Sequence, residues 1–196
     1  MKRSRIVILL CALRTLSGCM TAGEGPVPQE YLDDRTAATV SVVAKPLVFA
    51  RERRELAAHA RDYVTVAACS VNRSGAVDYF FLVYFWSTLD RRDRPGGRDL
   101  PAPEDLTIAA DDRLIRLKLL GHQPQAAGVG SALHSPPHRH WTLNVYRTDL
   151  ATLRFLSAAG HIAVVTDSTE GAVTYEPWGD DQRSLRGLVA RLNDGA

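Results

Sequence analysis

This sequence predicts a mainly β fold, a two-sheet sandwich-like domain with one or two helices in the C-terminal part, and three observations predict it. Apolar and polar residues alternate with a period of two over residues 36–44, 113–120 and 141–146, the spacing that gives a strand one buried face. Turn residues separate the apolar runs at short intervals, as at Arg73-Ser74-Gly75 and Asp111-Asp112, which suits about seven to nine short strands in one domain. A clear helical stripe comes only at the end, where Leu185, Leu188, Val189 and Leu192 fall at i, i+3, i+4 and i+7.

The first expected strand covers residues 36–44, with Val40 and Val42 set against Thr39, Ser41 and Val43. Pro46 interrupts it, so Leu47-Val48-Phe49-Ala50 resumes as a short edge strand. Residues 51–61 are charged, with Leu56, Ala57 and Ala60 as their apolar face, and read as a loop or a short helix. Residues 62–72 and 76–88 flank Arg73-Ser74-Gly75, which predicts a hairpin with Gly75 in the left-handed region. Its second arm runs apolar on both faces from Tyr79 to Trp86, as a central strand covered from both sides would. This hairpin is the expected nucleus of the core.

The mixed-charge run over residues 91–99 reads as a solvated loop, because its alternating signs cancel. Residues 106–109 and 113–120 form a second hairpin, with Ile115, Leu117 and Leu119 inward and Arg116 and Lys118 outward. Residues 121–140 show no period and read as a long exposed loop; loops of that length are uncommon unless functional or disordered. Trp141, Leu143 and Val145 restore a half-buried strand. Thr148 or Asp149 can cap a short helix carrying Leu150, Leu153 and Leu156, with Gly160 placed to end it. A last hairpin pairs residues 161–166 with 172–176, and Asp180 or Asp181 can start the final helix.

The N-terminus has a different logic. Lys2, Arg3 and Arg5 precede the apolar run Ile6-Val7-Ile8-Leu9-Leu10-Cys11-Ala12-Leu13, and a small-residue site follows; that order marks a secretory signal. The run is too short to span a bilayer, which takes about 20 apolar residues. Arg14 departs from the pattern by placing a charge at its end. Leu16-Ser17-Gly18-Cys19 resembles the lipobox of bacterial lipoprotein precursors. The resemblance implies that residues 1–18 are a signal peptide cleaved before Cys19, and that Cys19 carries diacylglycerol on its sulfur and an acyl group on its new amine. Two or three chains anchor a protein effectively permanently, where one alone holds only marginally. The protein's first partner would then be the lipid bilayer. Met20, where an Asp would signal retention, implies the outer membrane with the domain facing the periplasm. Residues 19–30 read as lipidated terminus and flexible tether, rich in Gly and Pro, and residues 31–196 as a single mainly β domain. The mature part also resembles small proteobacterial lipoproteins at Tyr31-Leu32-Asp33-Asp34 and Leu47-Val48-Phe49-Ala50-Arg51-Glu52, a likeness that brings no activity with it.

The chain has 24 basic and 22 acidic residues, but Lys2, Arg3, Arg5 and Arg14 would leave with the signal. The remaining balance is slightly acidic and argues against nucleic acid as a partner, which needs a retained basic face. Of the three cysteines, Cys11 would be discarded and Cys19 lipidated, so Cys69 is the one thiol left in the domain and no internal disulfide is possible. It sits in an apolar run without a cationic neighbour and reads as a small hydrophobe.

Three readings of function follow. The leading one is a non-enzymatic envelope binding or structural module that meets an envelope protein partner through an edge strand or the long loop. The second is a periplasmic metal-binding module: His134, His138 and His140 lie within seven residues, and neutral imidazole suits zinc or copper. No carboxylate or Cys stands beside them, and Arg139 puts a cation between two ligands, though His122 could join through the fold. The third is an envelope hydrolase, which would need Ser, His and Asp within hydrogen-bond reach; Gly128-Val129-Gly130-Ser131-Ala132 is no nucleophile elbow. No catalytic or cofactor-binding residue is assigned. Trp86, Trp141, Trp178, Tyr175 and Tyr31 could line a recognition surface, or pack at the core edge with wet polar tips.

Overall fold

The computed structural model describes residues 25–57, 59–89, 103–168, 171–179 and 181–194. The signal peptide, Cys19 and most of the tether lie outside them, as does the mixed-charge run 91–99. The described residues hold ten strands: β1 (Gln29–Asp33), β2 (Ala38–Val42), β3 (Leu47–Glu52), β4 (Arg61–Arg73), β5 (Ala76–Ser87), β6 (Asp105–Ala110), β7 (Arg113–Gly121), β8 (Trp141–Thr148), β9 (Ile162–Ser168) and β10 (Gly171–Pro177). Two helices complete them, α1 (Leu150–Ala158) and α2 (Gln182–Asp194). The mainly β class with C-terminal helices is therefore as expected.

The long hairpin β4–β5 is the frame. Its register runs unbroken from Arg73↔Ala76 to Asp62↔Ser87, and Ser74 and Gly75 both take positive φ, 51° and 91°. A two-residue turn of that hand matches the strand twist, and glycine reaches it without cost. From this hairpin the sheet closes on itself in the order β4-β3-β10-β9-β6-β7-β8-β5, with β5 pairing back to β4. The expected sandwich is thus an eight-stranded ring. Two seams in it are thin: β3 meets β10 only at Ala50↔Glu176 and Phe49↔Pro177, and β7 meets β8 at Leu119↔Tyr146 and Gly121↔Val145 across a register shift. Pro177 has no N–H to extend its ladder. Short-range patterning sees the strands on either side of such seams but not the few bonds that close them.

β3 is not an edge. Its residues pair along Arg61–Val66 of β4, while β2 takes the rest of the same β4 edge from Cys69 to Asn72, and β1 pairs outside β2. Thirteen residues of β4 make room for both. Pro46 precedes the ladder and so does not disturb it. β1 begins at Gln29, within the stretch expected to be tether; its sequence lacks a clear alternation and docks because β2 offers an open edge.

Alternate residues fill the ring: Val64, Val66 and Ala68 of β4, Phe81, Val83 and Phe85 of β5, Asn144 and Tyr146 of β8, Leu106 and Ile108 of β6, Leu117 of β7 and Val164 of β9 are all buried. The other row of the hairpin, Ala67, Cys69, Val71, Phe80, Leu82 and Tyr84, is buried as well. Its cover is the loop 122–140. That loop was expected to be exposed, yet Pro124, Ala127, Val129, Leu133 and Pro136 are buried. Apolar residues at irregular spacing bury an irregular segment just as well, and no period announces them. Tyr84 donates its hydroxyl to the Leu133 carbonyl (2.6 Å), Arg73 donates to the Gly128 carbonyl (3.1 Å) and the Gly130 N–H to the Asp33 carboxylate. The loop is a second layer with its own small core, and the covering of β5 from both sides is as the sequence predicts.

Asp149 caps α1, accepting from the Thr152 N–H (2.6 Å). The helix ends at an extended Ala159, so Gly160 is not its terminating glycine; the Gly160 and His161 N–H groups donate instead to the Asp111 carboxylate. α2 buries Leu185, Leu188 and Val189 and is tied to α1 by the Gln182 amide, which donates to the Leu156 and Ala159 carbonyls.

Candidate functional site: an aromatic cleft beside the loop

The long loop stops short of covering the whole outer face. Tyr63 and Thr65 of β4, Trp86 of β5 and Val48 of β3 share that face, because the register places Tyr63 opposite Trp86 and Thr65 opposite Val48. Trp178 follows β10, and its N–H donates to the Val48 carbonyl (2.8 Å). These residues and Pro46 form the floor and one wall of an open cleft of about 400 Å³, and His134, Ser135, Pro136 and Pro137 of the loop form the other.

The aromatic geometry is ordered. Tyr63 and Trp86 stack with ring centroids 4.2 Å apart and planes 10° from parallel. Trp178 meets Tyr63 edge-on at 5.9 Å and 85°, and the Arg61 guanidinium carbon lies 4.6 Å from the Trp178 ring centroid. Such stacked and edge contacts hold the rings rigidly, so the aromatic surface left exposed, chiefly that of Trp178 with part of Trp86, is presented without an ordering cost. The Trp86 indole N–H is already spent on the Thr65 hydroxyl (2.9 Å). What the cleft offers a ligand is flat apolar surface with few free donors. Trp178 is half-exposed.

No family model, no curated protein and no solved structure matches this chain. Its site must be read from its own residues.

The three loop histidines take separate tasks. A ring nitrogen of His134 lies 2.6 Å from the Val43 carbonyl and ties the loop to the chain just past β2. His138 lies nearly parallel to Trp86, at 6.2 Å and 22°, and 6.1 Å from His140. His122 is elsewhere, bonded to the Asn144 side chain (2.8 Å). Among the described residues no group of three or more His, Cys, Asp or Glu is placed to hold a metal ion. Nor does any hydrogen bond among the described residues join a histidine to a serine hydroxyl; His161 reaches the Glu176 carboxylate at 3.4 Å, both side chains being well exposed. Burial pushes the Cys69 thiol up to about 12, which leaves it protonated and inert as a nucleophile. Burial likewise raises the Tyr84 hydroxyl, against the lowering effect of the Leu133 backbone bond.

Of the aromatic residues read as a possible recognition surface, Trp86 and Trp178 line the cleft, Trp141 packs edge-on to Tyr84 at 5.2 Å, Tyr175 is buried within the ring and Tyr31 is part-buried on β1. Sequence reasoning missed Tyr63. Counting outward equally from the Ser74-Gly75 turn sets it opposite Trp86, so the signal was present once the turn was fixed.

Proposed function

We propose that the mature protein is a lipid-anchored envelope lipoprotein of the outer membrane, and that its β domain is a non-enzymatic binding module whose ligand site is the aromatic cleft. The open cleft carries the binding half of this reading: Tyr63, Trp86 and Trp178 hold a rigid aromatic surface clear of a loop that buries most of the neighbouring face. Pockets of this kind, mostly apolar with a few polar groups, are the usual form of a binding site. The ring itself is filled by Phe81, Phe85, Tyr146 and their neighbours, which directs a ligand to the outside.

The anchoring half rests on Leu16-Ser17-Gly18-Cys19 and the signal-like stretch before it. Among the described residues no helix is long and apolar enough to cross a membrane, so a lipid on Cys19 would supply attachment. Intact mass and membrane fractionation of the protein from a bacterial host test it. The expected result is a chain beginning at Cys19 with a lipid-sized mass increase, found in the outer membrane, and Cys19→Ser should abolish both the modification and detergent-dependent membrane association. An unmodified chain, or membrane association that survives Cys19→Ser, overturns the anchor.

A further inference from the structure

Resting on the cleft as the ligand site, we infer that its occupant is a short extended peptide segment of an envelope partner: uncharged and apolar at its centre, proline-bearing or aliphatic, and acidic at its flanks. The walls decide the centre. None of the residues lining the cleft carries a formal charge; they are Pro46, Val48, Tyr63, Thr65, Trp86 and Trp178 on the sheet side and His134 to Pro137 on the loop side. A charged group seated there would be desolvated without a partner. A sugar ring would find few partners for its hydroxyls: the Trp86 N–H is taken up by Thr65 and a His134 ring nitrogen by Val43, which leaves the Tyr63, Thr65 and Ser135 hydroxyls. Flat aromatic rings facing two prolines suit the stiff, low-entropy backbone of an extended or polyproline segment.

The slot is short. Along β4 the lining runs from Thr65 to Tyr63, a rise of about 7 Å, which is room for about two or three extended residues at the centre of the segment. The rim decides the flanks. Lys45 precedes Pro46 on the sheet side and Arg139 stands two residues beyond Pro137 on the loop side, so an exposed cation lies close in the chain to each wall, and neither is paired with a carboxylate among the described residues. Arg61 adds a third cation against Trp178, although it also bonds Glu52 (2.9 Å). Positive rims around a neutral slot favour an anionic-flanked segment through encounter rate and register.

The test uses tryptophan fluorescence of the detergent-solubilised mature protein. It is titrated with acetyl-Asp-Asp-Pro-Leu-Pro-Pro-Asp-Asp-amide, with the same core flanked by lysines, and with chitotetraose. The acidic-flanked peptide should shift the emission saturably, and Trp178→Ala, a half-exposed residue whose backbone bond survives, should remove the response. The double variant Lys45→Glu with Arg139→Glu should bind it about two- to thirty-fold more weakly, the range for two exposed ion pairs, and should gain affinity for the lysine-flanked peptide. Equal binding of both peptides, or binding of chitotetraose alone in a Trp178-dependent way, overturns the peptide inference while leaving the cleft as the site. A response to no probe that Trp178→Ala removes overturns the cleft as well.

Discussion

Asp33 shows how much one side chain can hold. Its carboxylate accepts from the Gly130 N–H across the loop and from the Arg35 N–H in its own turn, and the Gly130 bond, more than any other influence, holds its pKa below the ordinary carboxylate value against the opposing effect of burial. A depressed native pKa contributes stability that is present above the unfolded value, about 3.9, and is lost as pH falls through the native one. The melting temperature should therefore drop on acidification below about pH 4. Asp33→Asn should lower it at neutral pH and flatten its decline between neutrality and acid, the two curves converging at the acid end. Parallel curves would show that the loop is not held by this charge.

At the scale of the element, α2 illustrates how a close approach can reverse a propensity. Gly187 lies inside the helix, where alanine would ordinarily be better by about 1 kcal/mol. A Cβ there would run into the Pro26 carbonyl oxygen and Gly25, and one on Gly25 would meet the Arg183 carbonyl. Gly187→Ala should thus destabilise by about 1–3 kcal/mol, as overpacking does, and should loosen the stretch before β1, read as a new cleavage near Pro26 in limited proteolysis. A rise in melting temperature would mean that residues 25–26 do not seat on this helix.

Across the whole molecule the ring is unevenly closed. Twelve register pairs join β4 to β5, whereas two pairs each close β3 to β10 and β7 to β8. Segments with few bonds open locally at lower free energy than the global transition. Amide exchange should accordingly be slowest in Val64–Ala68 and Phe81–Phe85 and much faster in Ala50, Glu176 and Leu119. Uniform protection around the ring would contradict the seams. The cleft spans the first of these seams, with Val48 on one side and Trp178 on the other, so a ligand bridging them should slow exchange there in particular.

The sequence by itself determined what depends on neighbours in the chain. The hairpin around Ser74-Gly75, the alternation of Ile115, Leu117 and Leu119, the apolar faces of β5 and the stripe of α2 are local patterns, set by the periods of strand and helix and by turn chemistry. The tertiary structure decided what depends on distant pairing. Closure into a ring rests on a handful of bonds between β3 and β10 and between β7 and β8. Residues 122–140 have no period, so only their docking over Tyr84 and Cys69 turns them from a loop into a layer. The same docking gives His134 the Val43 carbonyl and sets His138 against Trp86, and Trp178 comes to lie beside Tyr63, far from it in the chain. A site made by juxtaposition has no signature along the chain, because the contacts that create it are paid for by packing elsewhere.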